Sequence, residues 1–175
     1  MIIRPTTTND HETIVNIAIQ GWRHAYASIL PATILDNLDP DQRLSARKSW
    51  FNHPEKHSFV AEIKNQIVGF CDFGISKQPE LAEGEIYAIY VLKDFYNKGI
   101  GRVLMTAAFN FLQQNKVKDC IVVAFAENTP ALIFYERLGF HFKQLKDTTI
   151  ENKFYLEKVF YHNFVGPMEI LNSKD

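Results

Sequence analysis

The sequence has little of what staples, anchors or strongly charges a protein. Its 175 residues include two cysteines, Cys71 and Cys120, each inside an apolar run. That pattern fits reduced core thiols in a cytoplasmic protein rather than a disulfide framework. Long hydrophobic runs are missing: the longest, Ile86–Leu92 and Cys120–Ala126, have seven residues each. A helix spanning a bilayer needs about 20, so no membrane association is expected. The opening Met1–Ile2–Ile3–Arg4–Pro5 also lacks the charged head and apolar stretch of a secretory signal. No charge of one sign dominates, since 19 Lys+Arg oppose 20 Asp+Glu for a net charge of −1. A general nucleic-acid binder needs a clear basic excess for its phosphate contacts and is excluded. The one metal-like histidine spacing, His53 and His57, is interrupted by Pro54 and has no third ligand nearby, so no metal site is expected.

What is present suits one well-packed domain. Hydrophobic residues make up 46% of the chain and phenylalanine alone contributes 14 positions, which argues against disorder. A single domain over residues 1–166 is expected, with a frayed polar tail at 167–175. Residues 2–4 read as a strand. Asn9 or Asp10 can cap a helix whose apolar positions Ile14, Ile17, Ala18, Trp22, Ala25 and Tyr26 keep 3–4 spacing. Pro31 and Pro40 punctuate a second helical region, with a run from Asp41 through Phe51. The period then switches. Strands at 58–63 and 67–75 around the turn Lys64–Asn65–Gln66 form a hairpin, and Glu85–Leu92 reads as a buried strand.

From Gly99 the pattern is helical again, with Ile100, Val103, Leu104, Ala107, Ala108, Phe111 and Leu112 on one stripe. Asp119–Phe125 is another buried strand. Asn128 and Thr129 precede Pro130 at the start of a short helix that stops at Gly139. Strands near 140–145 and 153–161 complete an α/β domain with a mixed sheet.

Chemistry concentrates where the buried strand runs through Lys93–Gly101 into the helix. A helix start leaves backbone N–H groups unpaired and carries about half a positive charge, so it attracts phosphate. Gly99 and Gly101 keep side chains out of the way, and Lys93, Lys98 and Arg102 outweigh Asp94. A dinucleotide fingerprint would need a third glycine where Leu104 stands. A Walker loop would need Gly-Lys-Ser/Thr where Gly101–Arg102–Val103 stands.

The segment Tyr96–Asn97–Lys98–Gly99–Ile100–Gly101 resembles the acetyl-CoA pyrophosphate loop of the GNAT N-acetyltransferases, Arg/Gln-x-x-Gly-x-Gly/Ala, with Tyr96 in place of the leading Arg or Gln. Asn128–Thr129–Pro130–Ala131–Leu132–Ile133–Phe134–Tyr135–Glu136–Arg137–Leu138–Gly139–Phe140 resembles a second signature of the same family, Asn-x-x-Ala-x-x-Phe-Tyr-x-x-x-Gly-Phe. The similarity to the family covers about residues 58–142.

The resemblance implies a mixed, mostly antiparallel sheet flanked by helices and an N-acetyltransferase using acetyl-CoA on a primary amine. It also implies direct transfer in a ternary complex. The implied cofactor contacts are Tyr96, Asn97, Lys98, Gly99, Ile100, Gly101 and Arg102 for the pyrophosphate, with Asn128 and the backbones of Ile89 and Val91 for the pantetheine arm and acetyl group. Tyr135 would contact the sulfur and protonate the leaving thiolate. Glu85, eleven residues before Tyr96, would be the base that frees the amine. Asn128 also reads as a helix cap, Tyr135 as a core aromatic, and Glu85 as part of an acidic loop.

The acceptor side would come from the first helices, which offer Trp22, Arg23, Tyr26, Asp36, Asp39 and Asp41. Residues 1–92 carry 8 Lys+Arg and 11 Asp+Glu, and residues 93–175 carry 11 and 9. The half assigned to a cationic acceptor is thus mildly acidic and the half assigned to an anionic cofactor mildly basic. The aromatic final strand, with Phe154, Tyr155, Phe160 and Tyr161, is a candidate for pairing in a homodimer. A non-catalytic acyl-CoA sensor and a Rossmann-type nucleotide domain are the rival readings.

Overall fold

The computed structural model describes residues 1–164. The expected tail beyond Gly166 therefore lies outside the described residues. Seven strands form one sheet in the order β1-β2-β3-β4-β5-β7-β6. They are β1 (Ile2–Pro5), β2 (Lys56–Ile63), β3 (Gln66–Ile75), β4 (Gly84–Val91), β5 (Asp119–Phe125), β6 (His141–Ile150) and β7 (Lys153–Asn163). Every neighbouring pair is antiparallel except β4 and β5. Five helices flank the sheet: α1 (His11–Ala25), α2 (Ala32–Asp36), α3 (Pro40–Phe51), α4 (Ile100–Gln114) and α5 (Thr129–Arg137). The sheet is mixed and mostly antiparallel, as the motif resemblance implied.

The two faces carry separate cores. On one, α1 sets Ile14 and Ile17 against Val60 and Phe70 of the sheet. On the other, α4 buries Ile100, Leu104, Met105, Ala108, Phe109 and Leu112 over Val68, Cys71, Phe73 and Ile86. Val103, expected on that stripe, is 39% exposed, because the buried stripe turns through Met105 and Phe109 instead. Both cysteines are free and buried. Among the described residues no helix is long and apolar enough to cross a membrane.

Local chemistry sets the helix starts differently from a simple reading of caps. Asp10 stands at the N-cap of α1 but makes no side-chain cap bond to it. Its carboxylate instead accepts from Thr7 N–H at 2.7 Å, Thr7 Oγ1 at 2.9 Å and the Arg4 guanidinium at 2.7 and 3.0 Å. Asp39, rather than Asp41, opens α3: its Oδ1 accepts from Asp41 N–H at 2.8 Å and Gln42 N–H at 3.2 Å. Arg47 of α3 reaches through to Asp72 of β3 and donates to Ser58 Oγ at 2.7 Å, a buried ionic clamp between helix and sheet.

The final strand is interior. β7 is hydrogen-bonded to β5 on one side and β6 on the other, so β6 and β1 are the sheet's edges. Tyr155 and Phe160 are buried and only Phe154 is widely exposed, at 78%. Backbone pairing across a dimer through β7 is therefore closed, because β6 folds back on it and takes its free edge.

Candidate active site

β4 and β5 pair only at Gly84↔Cys120, Glu85↔Ile121 and Ile86↔Val122. Beyond Ile86 they part. The cause is visible on the opposite side of β4, where Asp72 faces Ala88 and Phe73 faces Ile86, leaving Tyr87 as an extra residue in a bulge. A bulge bends and twists its strand, and from Tyr87 to Val91 the edge facing β5 has no strand partner. The gap opens into a cleft of about 690 Å³.

Into this cleft come nearly all the residues singled out from sequence. Ile89, Val91, Tyr96, Asn97, Gly99, Ile100, Gly101, Arg102, Asn128 and Tyr135 line it. Gly99 is the N-cap of α4 at φ +75°, a left-handed conformation that favours glycine, and no side chain caps the helix start. The first amides of α4 are consequently free of intrahelical partners. A Cβ at Gly99 would meet no atom within 4 Å, and Gly99 to Arg102 all border the cleft. Gly101 has a different reason for being glycine: a Cβ there would lie 3.1 Å from the Phe134 ring, so α4 and α5 could not approach as they do.

Lys98 does not line the cleft. Its Nζ donates to Asp94 O at 2.8 Å and sits over the Phe95 ring. Tyr96 lines the loop's side of the cleft and tilts against His24 with centroids 5.7 Å apart. Asn128 does cap α5, accepting from Ala131 N–H at a long 3.4 Å, and it also faces the cleft. The capping reading holds, and the same side chain borders the cleft.

Tyr135 is buried, 7% exposed, between Phe134, Phe140 and Phe160. Burial pushes its phenol well above the ordinary value, helped by Tyr26 and Cys71. It is core and cleft at once. Across the cleft the hydroxyls of Tyr26 and Tyr90 are 3.1 Å apart, and Tyr26 packs edge-on against Phe125 at 5.0 Å.

Glu85 stands off the cleft lining, at the level where β4 and β5 are still paired. It alternates with Ile86, whose side chain enters the α4 core, so it belongs to the opposite face of the sheet. Its Oε2 accepts from Lys77 N–H at 3.0 Å and Ser76 Oγ at 3.5 Å. Of the residues expected on the acceptor side, only Tyr26 lines the cleft. Trp22 packs with Leu38 under the Arg43 guanidinium, Arg23 donates to Leu35 O, and Asp39 is a helix cap. His24, Ser28, Ile29 and Phe134 join the lining without having been singled out. His24 lies in the last turn of α1 and Ser28 and Ile29 follow it, where periodicity marks core but not what a helix end or turn presents to a cleft.

The fold that positions this cleft is shared with solved N-acetyltransferase structures. The model of the acetyltransferase (GNAT) family matches residues 19–140, and the chain belongs to that family. It is 31% identical over 136 residues to the uncharacterized N-acetyltransferase YuaI of Bacillus subtilis strain 168, covering 77% of this chain and 76% of that protein. Among solved structures, the PaiA N-acetyltransferase of Thermoplasma acidophilum, in complex with coenzyme A, superposes with TM-score 0.69 at 20% identity, over 90% of this chain and 97% of that one. The yncA protein of Salmonella typhimurium, solved with its cofactor acetyl-CoA, gives TM-score 0.72 at 16% identity over 100% of this chain and 98% of that one.

Proposed function

We propose that this protein transfers an acetyl group from acetyl-CoA directly to a primary amine, both substrates being bound together. The observation that carries the reading is one cleft joining the uncapped N-terminus of α4, the unpaired edge of β4 and the Tyr135 hydroxyl region. Family membership and the coenzyme-bound relatives in the same fold support it.

Acetyl-CoA supplies the acetyl group as an activated thioester. The residues present fit it: the amides of Gly99–Arg102 face open space that suits a pyrophosphate, and Arg102 adds a cation beside them. The unpaired backbone at Ile89 and Val91 suits a pantetheine amide and the thioester carbonyl, where an N–H can stabilise developing oxyanion charge by about 3 kcal/mol. Asn128 keeps its amide N–H₂ available after capping α5 with its oxygen.

Glu85, set back from the cleft lining, takes the proton of the acceptor ammonium through water. Oε2 is already held by Lys77 and Ser76, which leaves Oε1 for the proton. The amine nitrogen then bonds to the acetyl carbon, Tyr135 gives its proton to the sulfur as the carbon–sulfur bond breaks, and the second proton that the nitrogen sheds on becoming an amide restores the phenol through solvent. Its raised pKa keeps the phenol protonated until that moment and makes it a hydrogen-bond donor first, an acid second. An acetylation assay with a panel of primary amines, following free CoA release, tests the reading. Turnover with at least one amine is expected. Tight acetyl-CoA binding without turnover on any amine would favour a sensor over an enzyme.

A further inference from the structure

We propose that Tyr26, held in place by Tyr90, is a catalytic hydrogen-bond donor whose hydroxyl meets the carbonyl oxygen of the thioester as negative charge develops there. The inference rests on the acetyl-transfer reading above and adds to it a side chain outside both the 96–101 loop and the 128–140 segment.

The two phenols come from distant parts of the chain. Tyr26 is the C-cap of α1 and Tyr90 lies near the end of β4, and both line the cleft. Their hydroxyl oxygens are 3.1 Å apart. Two hydroxyls hold two protons, and the hydrogen bond between them uses one. Among the described residues neither hydroxyl has another hydrogen-bond partner. One O–H is therefore left without a protein acceptor. Both residues are half-buried, and a donor so placed is costly unless water or a ligand takes its proton. Burial raises both phenols, so both protons are in place in neutral solution.

Packing decides which proton is free. The Tyr90 ring covers Gly21, tilts against Phe70 at 5.8 Å and belongs to the apolar cluster of Ile14, Ile17 and Val60. Tyr26 stands at the end of its helix, fixed edge-on by Trp22 at 5.1 Å and by Phe125 at 5.0 Å. Tyr90, the deeper of the two, donates to Tyr26, and the Tyr26 proton is left for the cleft. Both rings are held before any ligand arrives, which is what a donor to developing charge requires.

The pair also stands at the right height. Counting on from Ile86↔Val122, Phe125 is level with Ile89, whose backbone is assigned to the thioester and the pantetheine arm. Tyr26 packs on Phe125, and Tyr90 follows Ile89 with its side chain on the opposite face, towards α1. The Ile89 backbone, the Tyr26 hydroxyl and Tyr135 thus border one space from different sides. Tyr26 keeps its proton and donates a hydrogen bond, whereas Tyr135 gives its proton away.

The test compares acetyl-CoA with S-ethyl-CoA, in which a methylene replaces the carbonyl, by calorimetry on the wild type, Tyr26→Phe and Tyr90→Phe. The wild type is expected to bind acetyl-CoA about 5- to 10-fold more tightly, the scale of one neutral hydrogen bond. Tyr26→Phe should lose most of that preference while binding S-ethyl-CoA as the wild type does, which shows that the cleft is intact. In turnover, Tyr26→Phe should lower kcat by about 100-fold, the scale of one oxyanion donor, with a smaller change in amine KM. Tyr90→Phe removes the hydroxyl that orients Tyr26 and should give a smaller loss in the same direction. The double variant should be no worse than Tyr26→Phe alone, because the two act as one unit. A preference for acetyl-CoA that survives Tyr26→Phe, or a variant whose only defect is a raised amine KM, would overturn the proposal while leaving acetyl transfer intact. Failure of the wild type to bind either ligand would instead sink the underlying reading.

Discussion

Gly21 of α1 has no room for a side chain because of Tyr90 on β4: a Cβ on Gly21 would lie 2.2 Å from Tyr90 Cδ1. A glycine inside a helix costs about 1 kcal/mol relative to alanine, so its presence marks a close approach between helix and strand. The Tyr90 ring held this way lines the cleft and meets the Tyr26 hydroxyl. Gly21→Ala is expected to lower stability by about 1–3 kcal/mol through overpacking. It should also raise the acceptor KM more than the acetyl-CoA Kd. Chemical denaturation and steady-state kinetics on the same preparation check both halves.

The buried Arg47–Asp72 pair makes a second prediction. Asp72 sits in register with Ala88, directly beside the bulge, so the clamp ties α3 to the strand that opens the cleft. Removing one partner leaves the other charged and buried, at a cost of about 3–5 kcal/mol. Arg47→Met or Asp72→Asn alone should be destabilising on that scale. The double substitution should recover much of the loss, which a denaturation double-mutant cycle would show.

Acid stability should depend on Asp10. Its carboxyl is lowered to about 2, first by the hydrogen bond from Arg4, then by those from Thr7, against the cost of burial. A lowered carboxyl stabilises the fold fully above its unfolded value and loses that contribution as pH falls through the folded one. The contribution, about 1–2 kcal/mol after discounting for the exposed side of Arg4, should vanish between about pH 5 and pH 1. Asp10→Asn should therefore be less stable than wild type at pH 7 and nearly equal to it at pH 2. Urea midpoints at the two pH values decide it.

Tyr135→Phe removes a hydroxyl and nothing else. Turnover should fall about 10- to 100-fold, within the range of general-acid contributions, while acetyl-CoA affinity stays within about twofold. An unchanged kcat would leave Tyr135 as a core aromatic only.

Much of this site was legible because its elements are local. The glycines of the 96–101 loop, most of the stripe of α4 and the Asn128–Pro130 helix start each follow from residues close in sequence, and the structure has them in place except for Val103, which is exposed. The bulge at Tyr87 was not legible from composition, since Ile86–Leu92 is one apolar run in which either register looks alike. Nor was the interior place of β7, which depends on β6 folding back to cover its edge. Asp10 looked like a cap because Asp before a helix usually is one, but Arg4, brought close by β1, offers a stronger partner.

The most direct test of the central claim is a calorimetric titration of acetyl-CoA into the wild type and into Gly99→Asp. The substitution adds a carboxylate where a Cβ meets no atom, at φ +75°, a conformation aspartate tolerates better than most residues. The fold should survive with a small shift in melting temperature, while the new charge faces the amides assigned to the pyrophosphate. One acetyl-CoA per chain is expected to bind the wild type, with affinity reduced at least about 100-fold in the variant, the scale of losing several charge-assisted contacts. Equal affinity in the two proteins, or no binding by the wild type, would contradict the assignment of this cleft.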